Sequence, residues 1–328
     1  MILAGDIGGT NTRLALFDVK AKRLKPIVEA TFPSTGHQTL DEIIAGFVAQ
    51  HEVPLKHACL GIAGPIHKGV AQPLNLPWVV DSRKLAAMLH LETVNLINDL
   101  EANAYGVAAL EPHDFHVVNE GVSDAIGNAA VIAAGTGLGE AGLFWDGAYH
   151  RPFATEGGHA DFAPRNDLEI DLLRYLQGQF THVSCERVVS GPGLFSIYNF
   201  LRDTGRGEEP PWLTDALHGH DPSAVVSQMG LEGRSAMCVQ ALDMFVSLYG
   251  AEAGNIALKF LATAGVYIGG GIAPKIIEKL KGPEFVNSFL SKGRHKPLLE
   301  AMPVRVILND RAALLGAARC AALRGALL

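Results

Sequence analysis

Two hydrophobic periods alternate along the first hundred residues. ILAGDI and TRLALFDV, separated by a glycine-crowded turn, predict a β-hairpin, and LKPIVEATF predicts a third strand. TLDEIIAGFVAQH then sets Leu40, Ile43, Ile44, Phe47 and Val48 at helical spacing, with Thr39 as its N-cap. HACLGIAGP reads as a short apolar strand closed by Gly-Pro, and DSRKLAAMLH as a helix capped by Asp81 or Ser82. TVNLIN is the next strand and DLEANAYGVAAL the next helix. The predicted order is three strands, helix, strand, helix, strand, helix.

The pattern then restarts. LAGDIGGTNTRLALFD (3–18) and VIAAGTGLGEAGLFWD (131–146) are each an apolar strand, a Gly/Thr turn and a second apolar strand. Two such hairpins, each opening a run of strands and helices, point to an internal duplication with a ligand shared between its halves. Further helices are expected near 166–179, 190–202 and 232–262, then the strand GVYIGG, a helix from Pro274, the strand PVRVIL and a closing helix from Asn309. RDTGRGEEPP (202–211) and LHGHD (217–221) read as loops. The His-x-His of the latter has no third ligand nearby to make a metal site.

Composition narrows the class. A chain of 328 residues, 48% hydrophobic, exceeds one small core and predicts two domains or one duplicated unit. Lys+Arg 27 against Asp+Glu 34 gives a formal charge of -7 without a basic run, which argues against a nucleic-acid partner. The cysteines at 59, 185, 238 and 320 lie far apart with no C-x-x-C, so buried reduced thiols are expected, not a disulfide framework or zinc site. A strand starting at Ile2 has no charged n-region or h-region, so no signal peptide is expected. The 232–262 segment carries Asp243, Glu252 and Lys259, which makes it a core helix and not a membrane span. These features fit a cytoplasmic protein.

Three glycine clusters carry candidate chemistry. GDIGGTN lacks the lysine of a P-loop and the spacing of G-x-G-x-x-G. Such a turn can still bind an anion through backbone N–H groups in a nest, with Gly8 and Gly9 permitting close approach and Thr10 and Asn11 adding donors. Asp6 would repel phosphate but suits a hydrated Mg²⁺. A plain tight hairpin would look the same. GTGLG, with Gly135, Thr136 and Gly137, repeats the pattern and suggests a split polyphosphate site. Gly269, Gly270 and Gly271 would leave a flat surface for a planar ring, beside the helix expected from Pro274, whose N-terminus would favour anions.

Polar residues at strand ends form a second set. Asn98 and Asp99 stand where a strand stops and a helix begins, consistent with helix capping or with a base at a carboxyl strand end. Glu156 and His159 flank two glycines, and one Glu-x-x-His supplies too few ligands for a metal. Glu186 is either a solvated helix-start carboxylate or a further polar ligand. Together these carboxylates, the amide and the imidazole would suit the neighbouring hydroxyls of a sugar.

At this point the chain resembles a family. GDIGGTNTRLAL, LPW, NDLEANAYG, GTGLGEAGL, EGGHADF, CERVVSGPGL and GGGIAPK, in this order, are similar to the motifs of the bacterial glucokinases of the hexokinase/actin-like ATPase superfamily. EGGHADFAPRND has no cysteine, unlike the zinc motif of the ROK branch, so the resemblance is to the non-ROK branch. It implies a duplicated ribonuclease-H-like α/β fold, with two domains around a central cleft: 1–110 and 111–308, the helix from about 309–328 packing back on the first. It also implies ATP with Mg²⁺ as donor and D-glucose as acceptor. Asp99 would be the base, with Asn98, Glu156, His159 and Glu186 on the glucose hydroxyls. GDIGGTN and GTGLG would be phosphate loops, GGGI would lie near adenosine, and a homodimer is the usual assembly. The alternatives are a kinase for another hexose or donor, a non-catalytic sugar sensor, which would carry an N-terminal helix-turn-helix, and an ATPase without a small acceptor.

Overall fold

A computed structural model of the chain describes residues 1–51, 53–73 and 76–328. These form two compact units. The first comprises 1–114, 151–154 and 309–328, and the second 115–150 and 155–308.

The first unit opens with β1 (Ile2–Ile7), β2 (Asn11–Lys20) and β3 (Arg23–Pro33), followed by α1 (Leu40–Ala49) and β4 (His57–Ile62). A small sheet of β5 (Ile66–His67), β6 (Val70–Ala71) and β7 (Val80–Asp81) precedes α2 (Ser82–Met88), β8 (Val94–Asn98) and α3 (Asp99–Val107). The main sheet runs β3-β2-β1-β4-β8. β1 is antiparallel to β2 and parallel to β4, and β4 is parallel to β8. Alternation along β1 and β2 divides their side chains between two cores. Leu3, Ile7, Leu14 and Leu16 pack with Leu40, Ile43, Ile44 and Phe47 of α1, whereas Ile2, Ala4, Ala15 and Phe17 join a cluster with Ala102, Ala317 and Ala321. Thr39 caps α1 by accepting from the Glu42 N–H at 3.3 Å, and Asp81 caps α2 from Arg83 at 2.8 Å.

The second unit contains β9 (Phe115–Asn119), β10 (Ala129–Ala134) and β11 (Leu138–Trp145); β12 (His150–Ala154), whose residues 151–154 belong to the first unit, comes next in the chain and leads to a helical stretch. That stretch comprises α4 (Asp167–Gln177), α5 (Gly191–Asp203), α6 (Pro211–Gly219), α7 (Pro222–Leu231) and α8 (Ala236–Phe260). β13 (Gly265–Gly269), α9 (Ile277–Leu280), α10 (Pro283–Leu290), α11 (Lys296–Glu300) and β14 (Val304–Ile307) complete it. Its strands β11, β10, β13, β14 and β9 are neighbours in that order. β10 is antiparallel to β11 and parallel to β13, and β13 is parallel to β14. This antiparallel, parallel, parallel sequence is that of β2-β1-β4-β8, so the repeat of the two glycine hairpins extends to sheet topology. The buried α8 packs Ala241, Phe245, Tyr249 and Ile256 into the main core.

The closing helix α12 (Ala312–Arg324) belongs to the first unit. It approaches α3 closely enough that a Cβ on Gly316 would overlap the carbonyl oxygen of Ala102, and one on Gly106 that of Ala312.

Several boundaries differ from expectation. Pro274 does not open a helix: 270–276 is a series of turns and α9 starts at Ile277. The Ile272 N–H is drawn to Ala134 O at 3.3 Å, which holds this segment against β10. Residues 217–219 finish α6 instead of lying in a loop, and Arg202 and Asp203 finish α5. The long helix is trimmed to Ala236–Phe260 by the Ser235 cap and by Leu261 at φ 48°. The last helix begins at Ala312, because Asn309 Oδ1 accepts from the Arg311 N–H in a tight turn at 2.9 Å.

Candidate functional site

Parallel β1, β4 and β8 end on one edge of the first sheet, since Ile7 is in register with Ile62 and Ile62 with Asn98. Carboxyl edges of this kind are where open α/β sheets gather ligands. Gly8, Gly9, Thr10 and Asn11 follow β1 directly. The Gly8 N–H donates to Asn11 O at 3.0 Å, leaving Gly9 and Thr10 at the hairpin tip. Neither Gly8 nor Gly9 has a positive φ, so glycine serves here for its missing Cβ: at Gly8 that atom would lie 3.2 Å from Asn11 O. Ser34 staples the tip. Its Oγ donates to Gly8 O at 2.8 Å, its N–H donates to Thr10 O at 2.8 Å, and its Oγ lies 3.0 Å from Thr12 Oγ1.

Asp6 stands opposite Arg13 in the β1–β2 register. Arg13 donates to Asp310 Oδ2 and to Asp310 O, each at 2.8 Å. Burial pushes the Asp6 carboxyl up from 3.8 to about 6, with Arg13 opposing and Asp310 adding to the rise. Among the described residues no group of three or more His, Cys, Asp or Glu converges to cage a metal ion. A single carboxylate beside a glycine turn still fits a Mg²⁺ that keeps most of its waters.

Asn98 and Asp99 occupy the carboxyl end of β8 and the first turn of α3. Asn98 is both cap and candidate ligand: its Oδ1 accepts from the Leu100 N–H at 2.8 Å, and its Nδ2 donates to Gly64 O at 3.4 Å. Asp99 Oδ1 accepts from the same Leu100 N–H at 2.9 Å, and Asn103 Nδ2 donates to Asp99 O at 3.0 Å. The start of α3 is thus held by side chains, and the positive end of a helix beside Asp99 favours its anion.

In the second unit, Gly135, Thr136 and Gly137 turn the chain from β10 into β11, and Gly269, Gly270 and Gly271 follow β13. Because Ala133 is in register with Gly269, the two glycine turns share one sheet edge. Gly270 has φ +83°, and a Cβ there would overlap Ala134 O. Tyr249 fastens the edge from below, accepting from the Ala134 N–H at 3.2 Å and donating toward Gly269 O at 3.3 Å. The Gly191 N–H, at the start of α5, donates to Gly135 O at 2.8 Å.

Glu156, His159 and Glu186 come together around this loop. His159 Nε2 lies 3.9 Å from Glu156 Oε2, and its Nδ1 lies 3.9 Å from Glu186 Oε1. All three side chains keep exposed surface, 75% at Glu156, 56% at His159 and 25% at Glu186, so their polar atoms are open to a ligand. The glycines between Glu156 and His159 are required by packing. A Cβ on Gly157 would overlap Glu140 Oε2, and one on Gly158 would overlap Leu138 O. A short helix at Gly157–His159 and another at Cys185–Arg187 are joined through the Cys185 N–H to Ala160 O at 2.9 Å. Glu186 is further fixed by the Leu138 N–H, which donates to its Oε2 at 2.9 Å.

The structure therefore gathers the candidates into two groups, one per unit: Asp6, Gly8, Gly9, Thr10, Asn11, Asn98 and Asp99, and the Gly135, Glu156, Glu186 and Gly269 segments. The helix N-terminus expected beside Gly269–Gly271 is not there, because turns replace it. Ser34, Glu140 and the Arg13–Asp310 pair were not singled out from the sequence. Only Glu140 left a signal, a charged residue inside the apolar strand GLGEAGLFW.

A family model described as glucokinase matches residues 3–324. A glucokinase of Trichormus variabilis is 41% identical over 338 aligned residues, covering 98% of this chain and 99% of that protein. The crystal structure of a glucokinase from an Antarctic psychrotroph superposes with a TM-score of 0.87 at 31% identity, with 98% of each chain covered. A ROK family glucokinase from Streptomyces griseus, solved with glucose and AMPPNP, shares the fold at a TM-score of 0.64 and 20% identity, over 98% of this chain and 99% of that one.

Proposed function

The chain belongs to the glucokinase family and has the actin-like ATPase fold, and from that premise we propose that it transfers the γ-phosphoryl group of ATP to the 6-hydroxyl of D-glucose. The observation that carries the reading is the Glu156, His159 and Glu186 cluster, with Glu186 tied to the glycine turn after β10. Carboxylates accept from sugar hydroxyls, and the imidazole both donates and accepts, so the cluster reads several neighbouring hydroxyls at once. The Gly8 N–H is bonded to Asn11 O and the Gly135 N–H to Gly137 O, so phosphate without a lysine is received by the other backbone donors of the Gly8–Asn11 and Gly135–Gly137 turns.

Asp99 is the base. It orients the 6-hydroxyl and accepts its proton as the oxygen attacks phosphorus, a transfer whose loose transition state asks mostly for positioning and neutralised charge. Asn98 shares the sugar, and its capping bond to Leu100 fixes the backbone from which Asp99 extends. Gly269–Gly271 offer a flat face for the adenine ring. Mg²⁺ supplies charge neutralisation on the phosphates when bound, and Asp6 would hold it through water.

The family resemblance supports a homodimer in the cytoplasm. A formal charge of -7 without a basic run supports a small-molecule enzyme with no nucleic-acid partner, and no helix among the described residues is long and apolar enough to cross a membrane. Light scattering in solution tests the dimer. The functional reading is tested by ADP formation from Mg·ATP with glucose, mannose, fructose, N-acetylglucosamine and N-acetylmannosamine. Strong turnover with glucose is expected. Glucose inert beside another active sugar would overturn the substrate, and no stimulation by any sugar would overturn the kinase.

A further inference from the structure

Beneath the Glu156–His159 turn lies a buried acid pair with no part in the chemistry above. Glu140, on β11, is 1% exposed and Glu252, on α8, is 5% exposed. Three donors converge on Glu252: Asn255 Nδ2 at 2.8 Å, Cys185 Sγ at 3.2 Å and Lys259 Nζ at 3.3 Å. The anion therefore belongs on Glu252. Glu140 is in the opposite situation: among the described residues no nitrogen, hydroxyl or thiol donor reaches its buried Oε1, and its side-chain hydrogen bond is with Glu252 itself, which requires a proton between the two carboxyls. A buried oxygen that no such donor reaches costs far less on a neutral carboxyl than on a carboxylate. Burial, and then the neighbouring Glu252 charge, push the Glu140 carboxyl up from 4.5 to about 7, with Lys259 opposing. The charged and titratable groups facing it are Glu252, Lys259 and Tyr249 from α8 and Cys185 from the turn before Glu186.

Glu140 touches one arm of the candidate sugar site and reaches the other through Glu252. Its Oε2 fills the space where a Cβ of Gly157 would stand, and its backbone carbonyl accepts from Thr155 Oγ1 at 2.9 Å. Thr155 Oγ1 in turn accepts from the Gly157 N–H at 3.1 Å. On the other side, Glu252 holds the thiol of Cys185, the residue before Glu186.

We propose that Glu140 is a positioning residue for the sugar site, a proton-bearing carboxyl under Gly157 that keeps Glu156, His159 and Glu186 at the spacing that reads neighbouring hydroxyls. The proposal rests on the assignment of those three residues to the sugar. Loss of the proton places two anions side by side under the Gly157 turn, and the repulsion spreads the turn away from Cys185 and Glu186. Glucose binding weakens as pH rises, and the phosphoryl-transfer step is left alone because Glu140 touches no reacting atom.

The test is the pH dependence of steady-state kinetics from pH 6.5 to 8.5 for the wild type and for Glu140→Gln, whose amide stays neutral at nearly the same volume. The wild-type KM for glucose is expected to rise about three- to tenfold over this range, with kcat and the KM for ATP changing less than about twofold. In Glu140→Gln the glucose KM stays flat. A flat wild-type KM, or an unchanged pH profile in Glu140→Gln, overturns the proposal. Should Glu140→Gln not fold, Glu252→Gln removes the repulsion from the other side and is expected to abolish the rise; a profile like that of the wild type would overturn the proposal equally. Absence of glucose phosphorylation at every pH would instead overturn the functional reading, so the two failures are distinct.

Discussion

The backbone N–H of Leu138 donates to Glu186 Oε2 at 2.9 Å. The turn assigned to phosphate and a carboxylate assigned to the sugar thus share one hydrogen bond, and movement of either is felt by the other. Gly137 makes this contact possible, since a Cβ there would lie 2.5 Å from the same Glu186 oxygen.

Gly137→Ala is therefore expected to push Glu186 off the Leu138 amide and to disturb both substrates. Steady-state kinetics should show KM raised for glucose and for ATP, with kcat/KM for glucose down by about 10- to 100-fold, or roughly 1.4–2.7 kcal/mol of transition-state binding. A change confined to ATP would contradict the coupling.

Asn98 caps α3, and substitutions separate that role from its proposed contact with the sugar. Aspartate caps a helix as well as asparagine does, whereas alanine loses about 1 kcal/mol. Asn98→Asp keeps the bond from the Leu100 N–H but loses the Nδ2 donor to Gly64 O, so it should melt a few degrees below the wild type and raise the glucose KM by about tenfold or more through loss of the amide donor to the sugar. Asn98→Ala should show both defects. Equal glucose KM values for Asn98→Asp and the wild type would leave Asn98 as a cap alone.

Asp6 gives a pH signature with a definite sign. Its carboxyl titrates near 6 in the folded chain against 3.8 for the free group. Its contribution to stability is fully present below about 3.8 and is lost as pH rises through about 6. Thermal melts from pH 4 to 7 should fall less in Asp6→Asn than in the wild type. Activity runs the other way, because the carboxylate is the form that holds a hydrated cation. The wild-type kcat should decline as pH drops below about 6, and Asp6→Asn should need far more Mg²⁺. An unchanged Mg²⁺ dependence in that variant would remove Asp6 from the metal.

The helix pair of the first unit makes a prediction about folding. Gly316 allows α12 to meet α3 at the Ala102 carbonyl, and the obstacle to a side chain there is backbone, which cannot rotate aside. Gly316→Ala should cost at least the roughly 1–3 kcal/mol of an overpacked core, despite the better helix propensity of alanine. A raised melting temperature would contradict the close approach.

These elements also show how far the sequence could be read. Strands such as ILAGDI and VIAAG were legible because short continuous apolar runs lead into glycine turns, and their duplication was legible because those turns recur with the same flanks. The helix caps at Thr39 and Asp81 were legible because capping is local. The turns after Gly271 were not: Pro274 is as good a helix opener as any, and what prevents the helix is a tether from Ile272 to Ala134, more than a hundred positions away. The role of Glu140 was hidden for the same reason. Its partners on α8 and beneath Gly157 are distant in sequence, and an acid in an apolar strand states only that something must pair with it. Ser34 likewise looks like an ordinary turn serine until the fold brings it to Gly8 and Thr10.

The most direct test of the central claim follows the fate of D-[6-¹³C]glucose with Mg·ATP by NMR, comparing the wild type with Asp99→Asn. Phosphorus coupling should appear at carbon 6 with the wild type, and about 10²- to 10⁴-fold more slowly with Asp99→Asn, the range for loss of a general base. Phosphorylation at another carbon, none at all with the wild type, or a comparable rate in the variant would contradict the account.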